Sequence, residues 1–319
     1  TLSTDGGGIA LQGRLDTRSE AYGIELRCDS FPLNSFLPAD SLGLLDLALQ
    51  AGGSGFDPLR AQTRGNIRLQ VDRAEFRGRD FGGVKLNANL EGGQLSGRLS
   101  DRDEALRLLL LISGTLTERK QEVRLTGNVF DFDLAELGIS PQKIGGSFAL
   151  EAGASASDAG SYTARIALDS IEVRTRHRTD RIRPTSLSLS SDTTATRAKL
   201  ASGDLSLAFV SPGPVDSLVP ALTRSTDILA QQIRAQSVDM EALKPALPDF
   251  SLSVTAGREN ILNNFLKTKK VSFGALDIEG VNCDSLPVSL RIKAERLAWG
   301  GVVLDTLTAG IAQDGRRLD

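Results

Sequence analysis

Apolar and polar residues alternate with period two along most of this chain. In "NIRLQV" Ile67, Leu69 and Val71 fall on one side, and in "VKLNANL" Val84, Leu86, Ala88 and Leu90 do the same. Further runs place Val123 with Leu125, Ile166 with Leu168, Leu187 with Leu189, and Leu205 with Leu207. Towards the C-terminal end the pattern continues through Leu252/Val254, Leu276/Ile278, Val288/Leu290/Ile292 and Val302/Leu304. Such alternation predicts strands with one dry face and one wet face. Breaks containing Gly, Asn, Asp or Ser separate the runs at hairpin intervals. Parallel strands buried on both faces would read as unbroken apolar runs. The expected fold is therefore all-β, a long antiparallel curved sheet.

The stretch "FDFDLAELGISPQKIGGSFAL", residues 130–150, stops one strand with a short device and then starts another. Asp133 suits the cap of a single helical turn, with Glu136 three residues on completing a capping-box pattern. Gly138 suits the left-handed residue that ends such a turn, and Leu134 and Leu137 would tuck against the sheet edge. Relatives of this device begin at Phe31 ("FPLNSFLPADSLGLLDLALQAG") and Val238 ("VDMEALKPALPDFSLSVTAG"). In these copies Pro32 and Asp239 are the openers. The intervals are roughly 100 residues, and flanking blocks agree in order, which predicts three diverged repeats near 8–112, 113–202 and 203–319 in one continuous segment. Chance similarity between alternating β-sequences is the competing reading. One longer helix is expected at 214–234, where Val215, Leu218, Val219 and Leu222 recur at helical spacing, followed by Ile228, Leu229 and Ile233. A helix that caps or plugs the apolar side of the sheet is preferred over a partner-binding one.

Composition narrows the function classes. The net charge of −3 argues against nucleic acid, and a 5% aromatic content leaves little Trp or Tyr for stacking on sugars. Cys28 and Cys283 form no metal-ligand spacing, so no metal and no cofactor are expected. The apolar run "ALRLLLLI" at 105–112 is far shorter than the ~20 residues that cross a bilayer. No signal peptide is visible and both ends fall inside strand-like pattern, which predicts a segment of a longer protein. The single histidine, His177, lies among arginines and excludes two-His zinc motifs. "SPQK" at 140–143 matches S-x-x-K without its partner motifs, and "TDGGGIALQG" lacks the Lys-Ser/Thr of a P-loop. No enzyme is expected. The basic cluster Arg174, Arg176, Arg178, Arg181 and Arg183 reads either as a site for anionic headgroups or, preferably, as an exposed hairpin guarding a sheet edge.

What remains is the aliphatic side of the strands, with few helices to cover it. A sandwich or barrel would use it up, whereas a gutter would form a hydrocarbon slot in which an acyl chain gains roughly 0.8 kcal/mol per CH₂. The run "LPDFSLSVTAGRENILNNFLKTKKVSFGALDIEG" at 247–280, with "LDTLTAGIAQDGRRL" at 304–318 and "GNVFDFDLAELGI", resembles the TamB proteins of Bacteroidota, which are AsmA-like envelope proteins. The resemblance implies a β-taco groove in an inner-membrane-anchored periplasmic protein involved in outer-membrane biogenesis, although the anchor is not in these 319 residues. It further implies an Omp85-type outer-membrane partner, and either phospholipid passage between the membranes or assembly and secretion of outer-membrane clients. The family defines no catalytic residues. The expected partners are thus phospholipid acyl chains on the aliphatic residues named above, together with neighbouring repeats of a parent chain. A scaffold that adds client strands to its edges is the alternative, and a surface glycan-binding β-solenoid is a third.

Overall fold

The computed structural model describes residues 2–4, 7–35, 42–157, 160–235, 243–283, 286–314 and 317–318. Strand makes up 66% of the chain against two α-helices among the described residues, so the molecule is all-β and antiparallel as the alternation predicts. Contacts gather into two units, residues 1–158 with 168–181, and residues 159–167 with 182–319.

Unit 1 is an open antiparallel meander of β1 (Leu2–Thr4), β2 (Gly7–Asp16), β3 (Ala21–Pro32), β4 (Leu42–Ser54), β5 (Arg64–Phe76) and β6 (Arg79–Phe81). It continues through β7 (Val84–Glu91), β8 (Gln94–Arg102), β9 (Leu106–Leu116), β10 (Lys120–Asp133) and β11 (Gly145–Ser157). Each strand pairs with the next, except that β6 and β7 share one edge of β5. The tight hairpin between β7 and β8 turns on Gly92 and Gly93, both at positive φ (58° and 74°), as its two-residue loop demands. Strands β12 (Tyr162–Arg174) and β13 (Thr179–Ile182) follow.

Unit 2 contains β14 (Thr185–Ser191), β15 (Ala195–Ser202) and β16 (Leu205–Pro212), then helix α1 (Val215–Ala235). Strand β17 (Phe250–Ala256), helix α2 (Ile261–Thr268), β18 (Val271–Ser272) and β19 (Ala275–Cys283) come next, before β20 (Leu286–Trp299), β21 (Val302–Asp314) and β22 (Arg317–Leu318). Strands β14 to β17, β19, β20 and β21 pair in that order, all antiparallel.

The strand-stopping device has the expected core. Asp133 ends β10, and its Oδ1 accepts from the backbone N–H of Ala135 (2.9 Å) and Glu136 (3.3 Å). Gly138 closes the turn at φ +70°. Glu136 departs from the capping box: its carboxylate meets Arg79 at 3.3 Å, while the Asp133 N–H donates to the Ala105 carbonyl. The related stretches carry short 3₁₀ turns at Leu33–Ser35, directly after Pro32, and at Lys244–Ala246. Residues 36–41 and 236–242 of those copies, Asp239 included, lie outside the described residues.

Candidate functional site

Antiparallel register decides which side chains share a face, because paired residues point to the same side. Across unit 1, Leu26, Leu49, Leu69, Leu86, Leu99 and Leu110 stand opposite one another on successive neighbouring strands. Leu11 extends this row at one end, and Gly127 and Leu150 at the other. Eight strand spacings make the row about 40 Å long. The remaining unit 1 candidates occupy parallel rows on the same face. Ile67 lies between Ala51 and Ala88, Val71 between Leu47 and Val84, and Leu90 between Gly65 and Leu95. Leu125 lies between Ile112 and Ala152, and Val123 between Gly114 and Ala154.

The opposite face is polar, with Gln50, Arg68, Asn87 and Arg98 forming one of its rows. Strand β9 is the exception, since Leu109 and Leu111 also face that side. Among the described residues no α-helix belongs to unit 1. Most of its aliphatic face is half-exposed, with Leu11 and Ile67 retaining 62% and 44% of their surface, whereas Leu110 is buried.

The rows end at one lip in β-bulges. Asp29 and Ser30 together oppose Asp46, and shifts recur between Val129 and Phe132. At that lip Arg73 Nε donates to Asp46 Oδ2 at 2.8 Å and Arg73 Nη2 to Ser30 Oγ at 3.0 Å. Cys28 sits just inside, buried, with its thiol pushed up by burial and by the nearby Asp29 and Asp46 carboxylates. Cys28 is a free thiol.

Unit 2 uses its aliphatic face differently. Leu187, Leu200, Leu207, Val254, Ile278 and Ile292 form one row in register. Leu189, Ala198, Phe209, Leu252, Gly280 and Leu290 form the next. Leu276 stands opposite Ala256 and Ala294 in a third. The buried cluster of Leu205, Val254, Ala256 and Phe273 lies here, and Leu262 and Leu266 of α2 pack against it. Helix α1 lies where sequence reading expects a helix that caps or plugs the apolar side of the sheet, and it meets the sheet at the end of β14. Its first N–H, Val215, donates to Ser191 Oγ at 2.8 Å, and Ser225 Oγ donates to the Ala246 carbonyl. Val219, Leu222 and Leu229 of α1 remain exposed.

The covering element is α2, which the period-two reading missed within "GRENILNNFLKTKK". Its signals were Asn260 as N-cap and the apolar pairs Ile261/Leu262 and Phe265/Leu266, four residues apart. Asn260 Oδ1 accepts from Asn263 N at 2.8 Å, and Asn260 Nδ2 donates to Asp204 Oδ1 at 2.6 Å. Burial raises the Asp204 pKa, but hydrogen bonds from Asn260 and from the backbone of Glu259, Gly257 and Arg258 outweigh it and hold the carboxyl below its ordinary value.

Not every candidate joins these rows. On β21, Leu307 and Ala309 stand opposite Ala294 and Ile292, Leu304 stands opposite Leu297, and Val302 opposite Trp299. Ile166 and Leu168 share one side of β12, the former exposed. Of the five clustered arginines, Arg174 pairs with Asp131, Arg178 with Asp180 and Arg183 with Glu259. Arg176, Arg181 and His177 are exposed. Among the described residues no group of three or more His, Cys, Asp or Glu could hold a metal, and no helix is long and apolar enough to cross a membrane. No family model, no curated protein and no solved structure matches the chain.

Proposed function

We propose that this chain is a section of a periplasm-bridging lipid conduit that moves phospholipids between inner and outer membranes. The observation that carries the reading is the aliphatic face of unit 1. It presents rows of Leu, Ile, Val and Ala in register over nine strands, and among the described residues unit 1 contains no α-helix. Natural proteins seldom leave so large an apolar surface uncovered unless something lies on it. Acyl chains along the rows would be shielded from water while headgroups stay wet, and no covalent chemistry is needed. The resemblance to AsmA-like envelope proteins supports the same assignment and the periplasmic location.

The test is native mass spectrometry of the chain purified from a bacterial envelope. Bound phospholipid is expected, and Leu69→Arg, which sets a charge in the middle of the leucine row, should release most of it. Gln70→Arg, one residue along and on the wet face, should not. Lipid-free wild-type protein would refute the proposal.

A second reading, a scaffold that guides outer-membrane proteins with an Omp85-type partner, draws on the outer edge of β21. Among the described residues, nothing pairs with that edge between Val302 and Ala312. Crosslinking of an unfolded client to this edge, rather than to the leucine row, would favour it.

A further inference from the structure

We propose that the turn of the β20–β21 hairpin, with the lysines that end α2 beside it, docks on the surface of a bilayer rich in anionic phospholipid. The inference goes beyond the lipid-carrying reading and does not depend on it, because it uses none of the aliphatic rows. Its apolar part is the end of the hairpin. Trp299 stands opposite Val302, and Ala298 opposite Val303, so both sides of the ribbon carry apolar groups there. Trp299 is the only tryptophan of the chain and is 72% exposed, with Val302 and Val303 at 61% and 65%. Gly300 and Gly301 close the turn at φ +56° and +94°, and a Cβ added at either would meet nothing within 4 Å. The turn therefore has open space around it.

The cationic part comes from the strand alongside. β18 pairs with β20, Val271 with Trp299 and Ser272 with Ala298, and the Gly300 N–H donates to the Lys270 carbonyl at 3.4 Å. This pairing holds the C-terminal end of α2 against the hairpin turn and brings Lys267, Lys269 and Lys270 there, all exposed. Among the described residues none of these lysines is in an ion pair. The carboxylates of the hairpin, the first of them Glu295 and Asp305, lie back from its turn, and Glu295 is held by Lys293 at 2.8 Å. An indole favours the headgroup level of a bilayer, where its ring is dry and its N–H wet. Lysines beside it meet the negative potential of an anionic leaflet, each strengthening binding about fivefold. The two valines add apolar area that reaches the acyl boundary. Single-stranded nucleic acid would use the indole and the lysines but not the valines.

Because the chain has one indole, its fluorescence reports this site in the full chain. Vesicles of mixed phosphatidylcholine and phosphatidylglycerol are expected to shift the Trp299 emission to the blue and to carry the protein down on sedimentation. Vesicles of phosphatidylcholine alone should do neither at the same concentration. Lys267→Gln/Lys269→Gln/Lys270→Gln should weaken binding by about tenfold or more. Arg176→Gln/Arg181→Gln/Lys199→Gln removes the same charge from exposed positions elsewhere and should leave binding unchanged. Leu69→Arg, which sets a charge in the leucine row, should bind vesicles as the wild type does, so this inference and the lipid-carrying reading fail separately. Unshifted emission with the anionic vesicles, or equal binding to both kinds, would overturn the docking tip. Equal loss in the two charge-removing variants would do the same. Lost binding in Leu69→Arg would place the membrane contact on unit 1 and end the proposal. So would a Trp299 response to single-stranded oligothymidylate with none to vesicles.

Discussion

Asn263 shows how one side chain can replace water for several backbone groups at once. Its amide serves Gly257, Arg258 and Phe273 in a site closed to solvent. Asn263→Ala removes the partner of the buried Phe273 carbonyl and N–H. A loss of about 1–3 kcal/mol is expected in chemical denaturation, compared with a few tenths at an exposed polar site. At Gly138 the cause is conformational instead: φ is +70° and an added Cβ would meet nothing within 4 Å. Gly138→Ala should therefore cost about 1 kcal/mol from backbone strain alone, read as a drop in midpoint without a change in slope. Asp204 adds a pH dependence. Its folded-state pKa lies below the ordinary 3.8, so its contribution is complete above that value and is lost as pH falls towards the lower folded value. Denaturation midpoints at about pH 6 and about pH 3 should differ more for the wild type than for Asp204→Asn. Equal drops would show that the carboxylate is not what holds α2 in acid.

Among the elements, strands were legible because alternation is a direct imprint of a half-buried sheet, and the leucines of β5 and β7 announced their own shared face. Helix α1 was legible too, expected at 214–234 and found at Val215–Ala235, because its length let the helical spacing repeat. Of its expected apolar positions, Leu218 is buried together with Ser225, while Val219, Leu222 and Leu229 stay exposed. Helix α2 was hidden for the converse reason. Two turns give only two apolar pairs, and they sit between alternating strands that invite a single β reading. Val302 and Leu304 show what the pattern of one strand cannot supply: their partners, Trp299 and Leu297, follow from the register of β20.

For the molecule as a whole, the contrast is between a unit whose aliphatic face stays largely half-exposed and a unit that fills part of its own. Composition alone could not separate them, because Leu, Val and Ile are spread through both. The edge of β21 belongs to this scale. From Val302 to Gln313 it carries one charge, Asp305, with no Lys and no Pro to discourage pairing. The isolated chain should therefore associate with rising concentration in sedimentation velocity, and Thr308→Lys should shift it towards monomer. Monomer for both proteins across the range would show that this edge does not associate.

The regular register that holds between the bulges across β2 to β11 constrains how such a chain can change length. Adding or removing one residue inside any of these strands would turn every later side chain of that strand over, setting glutamines and arginines among the leucines and leucines in water. Viable insertions within a strand must come in twos, or be absorbed by a bulge such as the one at Ser30. Single-residue changes should survive only in the loops. A deletion scan with a folding reporter would trace that even–odd rhythm along each strand.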